Sequence, residues 1–279
     1  MPTSRHPADL STFRLRRRTP GPFILVPCPA EGRSIRCQGH LEADAALTLS
    51  ACPRLARLRE QPFVVWYAWR PAPGGCQIRL LDGPPARRPR KTDPVRVTYV
   101  VPDFLVGLAD GPERLLEVKP SRKLVDPVVQ RKLAVSRLFA DGRGWPFHVL
   151  TERELRGGPL LGNLRLLRRY RRLDPDPAVI HALTAQVVAG GIRLGELLRR
   201  AEGAGPPPVL YQHALHLLGA GLLSFDPCAR PLDNDTSLFP KGAVSWDPFA
   251  SAWAPSGCST AAPSACSASP PPTGSSPST

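Results

Sequence analysis

Val100-Val-Pro-Asp-Phe-Leu-Val106 and, one turn later, Leu116-Glu-Val-Lys-Pro120 are the stretches on which the fold of this chain is read. Both are apolar runs that meet a charged residue. Their β-branched and aromatic residues predict strands over 95–106 and 115–118, joined by the Asp-Gly-Pro turn chemistry of 108–113. If the two strands form a hairpin, Asp103 and Glu117 project side by side. Glu117 and Lys119 are two residues apart and share one face of their strand. The carbonyl of Val118 faces the other way and offers one more oxygen. Two carboxylates and an ammonium converging on one point suit phosphodiester hydrolysis. Carboxylate oxygens hold hard divalent cations such as Mg2+ or Mn2+, which polarise phosphate and acidify a bound water. Lys119 then orients that water or neutralises charge growing on the phosphate.

Outward from this core, residues 1–30 are expected to be a basic arm with one strand near Phe23. A helix is expected from His40 to Ser50, followed by a turn at Pro53. Residues 62–69 are aromatic and β-branched, and Gly74-Gly75 predicts a hairpin return at 77–81. Trp66, Tyr67 and Trp69 read as core rather than as base-stacking residues. A helix over 127–140, a strand over 147–150 and a helix over 160–173 complete an α/β domain with a mixed sheet, spanning 31–173.

Asp174-Pro-Asp-Pro177 marks a boundary. Beyond it, helices at 177–189, 194–201 and 208–218 and a hairpin made from 222–225 and 237–239 have the layout of a winged helix, spanning 174–241. Its third helix carries Tyr211, Gln212, His213 and His216 but no Arg or Lys, which suits protein docking better than DNA reading. The two histidines lack a third ligand and read as interface or core residues. Residues 242–279 are rich in Ser, Pro and Ala and are expected to be disordered.

Charge sharpens the division. Residues 1–172 hold 32 Lys and Arg against 15 Asp and Glu, whereas 173–279 hold 5 against 8. A polyanion should therefore meet the first part of the chain. Arg165, Arg168, Arg169 and Arg172, with Arg171, are expected to form a phosphate-facing helix end. The seven cysteines form no Cys-x-x-Cys pair, which argues against a zinc ribbon, and their odd number argues against a disulfide framework. With no long apolar run and no secretory signal, a cytoplasmic, nucleoid-associated protein that does not enter a membrane is expected.

The quoted motifs resemble the PD-(D/E)xK nuclease core, specifically that of TnsA-like endonucleases. Gly39-His-Leu-Glu-Ala-Asp44 resembles the helix that carries that family's N-terminal catalytic acid, and Cys52-Pro-Arg-Leu55 with Glu60-Gln-Pro62 resembles the approach to its first strand. Phe147-His-Val-Leu-Thr-Glu-Arg-Glu154 resembles its late strand and the following helix start. The resemblance implies Glu42, Asp103 and Glu117 as catalytic acids and Lys119 as the catalytic lysine. It also implies Glu42, Asp103, Glu117 and Val118 as metal ligands. Asp44 competes with Glu42, since a helix sets the two about 200° apart and only one can face the site. The resemblance further implies cleavage at the 5′ ends of a transposon, beside an integrase-fold (TnsB-like) transposase and an AAA+ (TnsC-like) regulator. A stand-alone repair or defence nuclease, and a non-catalytic adaptor on the same fold, are the alternatives.

Overall fold

The hairpin anticipated around Asp103 and Glu117 is the centre of the larger sheet. The computed structural model describes residues 23–73, 75–86, 93–250 and 253. The sheet has the order β3 (Leu55–Glu60), β7 (Phe104–Leu108), β8 (Arg114–Val118), β9 (Phe147–Leu150). The first three strands pair antiparallel and β9 joins β8 in parallel, so the sheet is mixed. A parallel neighbour needs a crossover, and α2 (Pro127–Asp141) supplies it. Pro127 at its first position and Asp126, whose side chain accepts the Val128 N–H, start that helix.

Alternation along β7 and β8 sends side chains to two cores. Phe104, Val106, Leu116 and Val118 face α1 (His40–Ala51), which is itself flanked by the β1–β2 ribbon (Ile24–Cys28 with Arg33–Cys37). Leu105 and Leu115 face Val135 and Phe139 of α2 and a second sheet, β5 (Gly75–Leu81), β4 (Val65–Ala72), β6 (Arg96–Val100). Tyr67 is fully buried there, and Trp69 packs on the same core with Arg131 over its ring, in line with a core reading. Trp66 lies on the other face of the sheet, against Tyr99.

Three expectations change. The strand expected over 95–106 is two strands in different sheets, β6 and β7, broken at Val101-Pro102-Asp103. Proline has no N–H for a ladder, so the chain can leave one sheet for the other there. Residues after Pro53 form strand β3 rather than a bare turn. A register shift between Leu55 and Arg57 turns Leu55 and Leu58 inward at a helix-like spacing of three. The first domain also begins earlier than residue 31, because β1 pairs with β2 along its whole length. Residues 1–22 lie outside the described residues.

After α3 (Glu152–Arg156) and α4 (Leu160–Tyr170), the chain runs through α5 (Pro177–Ala185), β10 (Ile192–Arg193), α6 (Leu194–Arg200), α7 (Pro207–Gly219), β11 (Leu223–Ser224) and β12 (Ser237–Pro240). The small sheet has the order β10-β12-β11. Helix α7 is buried at every position from His213 to Leu218, so it is enclosed rather than presented. His213 Nε2 accepts the Asp176 N–H, and His216 Nδ1 meets the Tyr170 carbonyl, so both rings serve packing. Seven α-helices are present among the described residues, and none is long and apolar enough to cross a membrane.

The expected disordered tail is also corrected over 242–250 and at Trp253. Its described residues fold back onto the first domain, where Phe249 and Trp253 join the α1-side core and Trp246 packs against it. Phe249 lies against His148, with Arg114 above its ring, and Asp247 pairs with Arg54. Three large aromatics spaced along a low-complexity stretch offset the ordering entropy that composition alone suggests would win. Residues 254–279 lie outside the described residues. Phe249→Ala should therefore destabilise the protein by roughly 3–5 kcal/mol, as for other buried Phe→Ala changes. A urea melt that superimposes on that of the unaltered protein would refute this docking.

Candidate active site

Asp103 stands where the chain enters β7, and Glu117 and Lys119 stand at the far end of β8, which its antiparallel pairing brings alongside. Lys119 Nζ lies 2.7 Å from Asp103 Oδ2 and 2.8 Å from Glu117 Oε2. The three residues expected to converge do so.

The backbone prepares this geometry. The Val118 N–H donates to Asp103 Oδ2 at 2.7 Å, so the aspartate caps the edge that β7 leaves open. An extended residue sends its N–H and C=O to the same edge, which directs the Val118 carbonyl toward Asp103 as well. The Lys119 N–H donates to the Leu150 carbonyl and ties the lysine to β9. Glu117 is only 2% exposed and accepts the Ser136 hydroxyl of α2 at 2.8 Å. The Gln61 N–H donates to the Asp103 carbonyl at 2.9 Å. Gln61 is the one non-glycine with positive φ (44°) among the described residues, a strained conformation placed directly beside the site.

Glu42 and Asp44 part company. Asp44 is buried between Arg156 of α3 and Arg165 of α4, at 2.7 and 2.5 Å, and is used up in that clamp. Glu42, in the first turn of α1, accepts the Gln38 N–H at 2.7 Å and lies close enough to Asp103 and Lys119 to feel both charges. Between the two acids weighed from sequence, Glu42 is the one beside Asp103.

Electrostatics follow from packing acids together away from water. Burial, then the charge of Asp103, pushes Glu117 up to about 7, against the lowering effect of Lys119 and Ser136. Burial and Asp103 likewise push Glu42 up to about 7, while its Gln38 hydrogen bond and Lys119 pull it down. Burial alone would depress the Lys119 pKa, but Asp103 and Glu117 outweigh it and raise it above the ordinary lysine range. Burial, reinforced by Glu42, Glu60 and Asp103, holds the Cys37 thiol far above its usual value. The ensemble is a cluster of three carboxylates that share one ammonium.

Among the described residues no three His, Cys, Asp or Glu side chains are gathered tightly enough to cage a cation as they stand. The Lys119 ammonium stands between Asp103 and Glu117 instead. The donor chemistry nevertheless fits a hard divalent cation, since every side-chain group that could hold one here offers carboxylate oxygen. A crowded, partly protonated carboxylate cluster also gains from added positive charge.

Sequence reasoning missed Ser136 and Glu152. A serine within the apolar stripe of α2 was a readable signal for the first. Glu152 accepts both the N–H and the hydroxyl of Ser121, which pins the turn after Lys119, a contact no spacing announces. Arg165, Arg168, Arg169 and Arg172 stand on and just beyond α4, away from the acids, and Arg165 is committed to Asp44.

Residues 52–152 match the family model described as TnsA-like endonuclease N terminal, a stretch that contains Asp103, Glu117 and Lys119. No curated protein matches the chain.

A carboxyl with a raised native pKa binds its proton more tightly when folded. Its native state loses stability as pH rises from the unfolded value, 4.5, to about 7. Glu117→Gln cannot ionise. In chelator-treated buffer at pH 8 it should be more stable than the unaltered protein by on the order of 2–3 kcal/mol, and the gain should vanish below pH 4.5. A gain of equal size at both pH values would show that Glu117 titrates normally.

Proposed function

We propose that this chain, which carries a TnsA-like endonuclease domain over residues 52–152, cuts the 5′ ends of transposon DNA as one subunit of a heteromeric transposase. The observation that carries the reading is the Lys119 ammonium set between Asp103 and Glu117, inside the matched stretch. Asp103, Glu117, the Val118 carbonyl and Glu42 are the groups that would hold Mg2+ or Mn2+. Once bound, such ions supply phosphate polarisation and a water made acidic enough to attack at neutral pH.

The protein's own residues do the rest. Lys119, which stands between the two carboxylates, would neutralise charge building on the phosphate or orient the attacking water. The water oxygen bonds to phosphorus as the bond to one sugar oxygen breaks. One fragment keeps the phosphate and the other leaves with a hydroxyl. Ser136 and the Val118 N–H hold Glu117 and Asp103 so that both point at the same phosphate. The arginines of α4, Arg165, Arg168, Arg169 and Arg172, are the phosphate contacts away from the cut.

The helix–strand–helix–helix–strand–strand order of 177–240, with β12 between β10 and β11, supports a winged-helix domain. The enclosure of α7 makes it a poor groove reader, and we assign the domain to docking a TnsB-like transposase or a TnsC-like regulator in the cytoplasm, at the nucleoid.

Asp103→Ala and Lys119→Ala proteins should still bind DNA but nick it on the order of 10³-fold more slowly, and chelation should silence the unaltered protein. Plasmid nicking that survives in both variants would remove this site from the reaction.

A further inference from the structure

A cleft of about 1050 Å3 lies between the end of α1, the exposed side of α4 and the turn after α7. It contains none of Asp103, Glu117 and Lys119, so it is separate from the chemistry. Its rim carries Arg165, Arg168, Arg169, Arg171 and Arg172, and no Asp or Glu lines it. The crowding follows from α4 and its end: Leu160, Leu161, Leu164 and Leu167 turn into the protein, Arg165 and Arg169 lie away from them, and Arg168, Arg171 and Arg172 follow in the exposed last turn and just beyond it. Arg165 is neutralised by Asp44. The other four are exposed and form no ion pair among the described residues. Four neighbouring cations without an anion repel one another, and an anionic ligand relieves that cost.

The floor is a different chemistry. Leu47 and Trp246, both only partly buried, line it, so the cleft offers an apolar and aromatic base beneath a cationic rim. Phosphate alone has no use for such a floor. A positively charged groove with aromatic platforms is the pattern that holds single-stranded nucleic acid, whose unpaired bases have free faces to stack. A duplex keeps its base faces covered, and its bulk cannot enter a cleft of this size. From Arg165 to Arg172 the chain rises about 10 Å, the length of two or three phosphates. Along α1, Glu42 and Ala51 are about 13 Å apart, so a strand leaving the acids reaches the cleft within about four nucleotides.

We propose that this cleft binds a short single-stranded stretch of the DNA being cut, with phosphates on Arg168, Arg169, Arg171 and Arg172 and a base against Trp246. The proposal rests on the nuclease reading above and specifies the form of DNA held beside the cut. The test uses the full chain without divalent cations and follows the anisotropy of fluorescein-labelled oligonucleotides. The probes are a single strand, its duplex, and a peptide of glutamates around one tryptophan. Circular dichroism checks that an Arg168→Glu/Arg172→Glu protein is folded. That protein should bind the single strand about tenfold more weakly or worse, with a salt slope shallower by about 1.4, and should lose clearly less affinity for the duplex. Unchanged single-strand affinity overturns the proposal. So does an equal loss for duplex, which makes α4 a general phosphate contact, and so does a loss seen with the peptide alone. Plasmid nicking with Mg2+ is scored separately: nicking without strand binding sinks only the cleft, and the expected strand binding without nicking sinks only the endonuclease reading.

Discussion

An ammonium held between two carboxylates, in a place largely closed to water, is the constraint on which the rest of this structure depends. Removing Asp103 and Glu117 from solvent is unfavourable, and holding them next to each other is more so. Lys119 offsets both costs only because several independent elements deliver it. The antiparallel register of β7 and β8 sets the acids at the same height. The parallel strand β9 grips the lysine through its own backbone, and α2 brings a hydroxyl to the second oxygen of Glu117. Each of these elements has packing reasons of its own, and the site sits where they meet.

Helix α1 joins this centre to the remainder of the protein. Two acids on it, two residues apart, have unrelated duties: one adds a third carboxylate to the cluster, and the other locks α3 and α4 in place. Asp44 is buried in this clamp, and a buried charge left without its partner is costly. The arginine helix is thereby held at a fixed distance from the chemistry, and the cleft along its flank inherits that alignment.

Much of this was legible in the chain. The Pro-Asp and Glu-x-Lys stretches ended apolar runs, and a strand's period of two was enough to place three side chains on one face. The hairpin after Trp69 and the helix from Pro127 followed from glycine and proline placement. Other parts were hidden for identifiable reasons. In β2, Ser34 and Arg36 alternate with Ile35 and Cys37 after an exposed Arg33, so the segment looks polar. In β3, a bulge imitates the spacing of a helix. The choice between Glu42 and Asp44 needed the neighbours of α1, which lie more than a hundred residues away for Asp44. The aromatics at 246, 249 and 253 were drowned in a composition that reads as loose chain.

That returning segment gives the molecule a direction in time. A chain leaves the ribosome at about 5–20 residues per second, so roughly 5–20 s separate the emergence of β9 from that of Trp253. Throughout the interval the layer beside α1 lacks two of its aromatic members. Early folding must proceed around a gap that Phe249 and Trp253 fill only later. A nascent polypeptide of this kind completes its first domain after its second, although the first is encoded earlier.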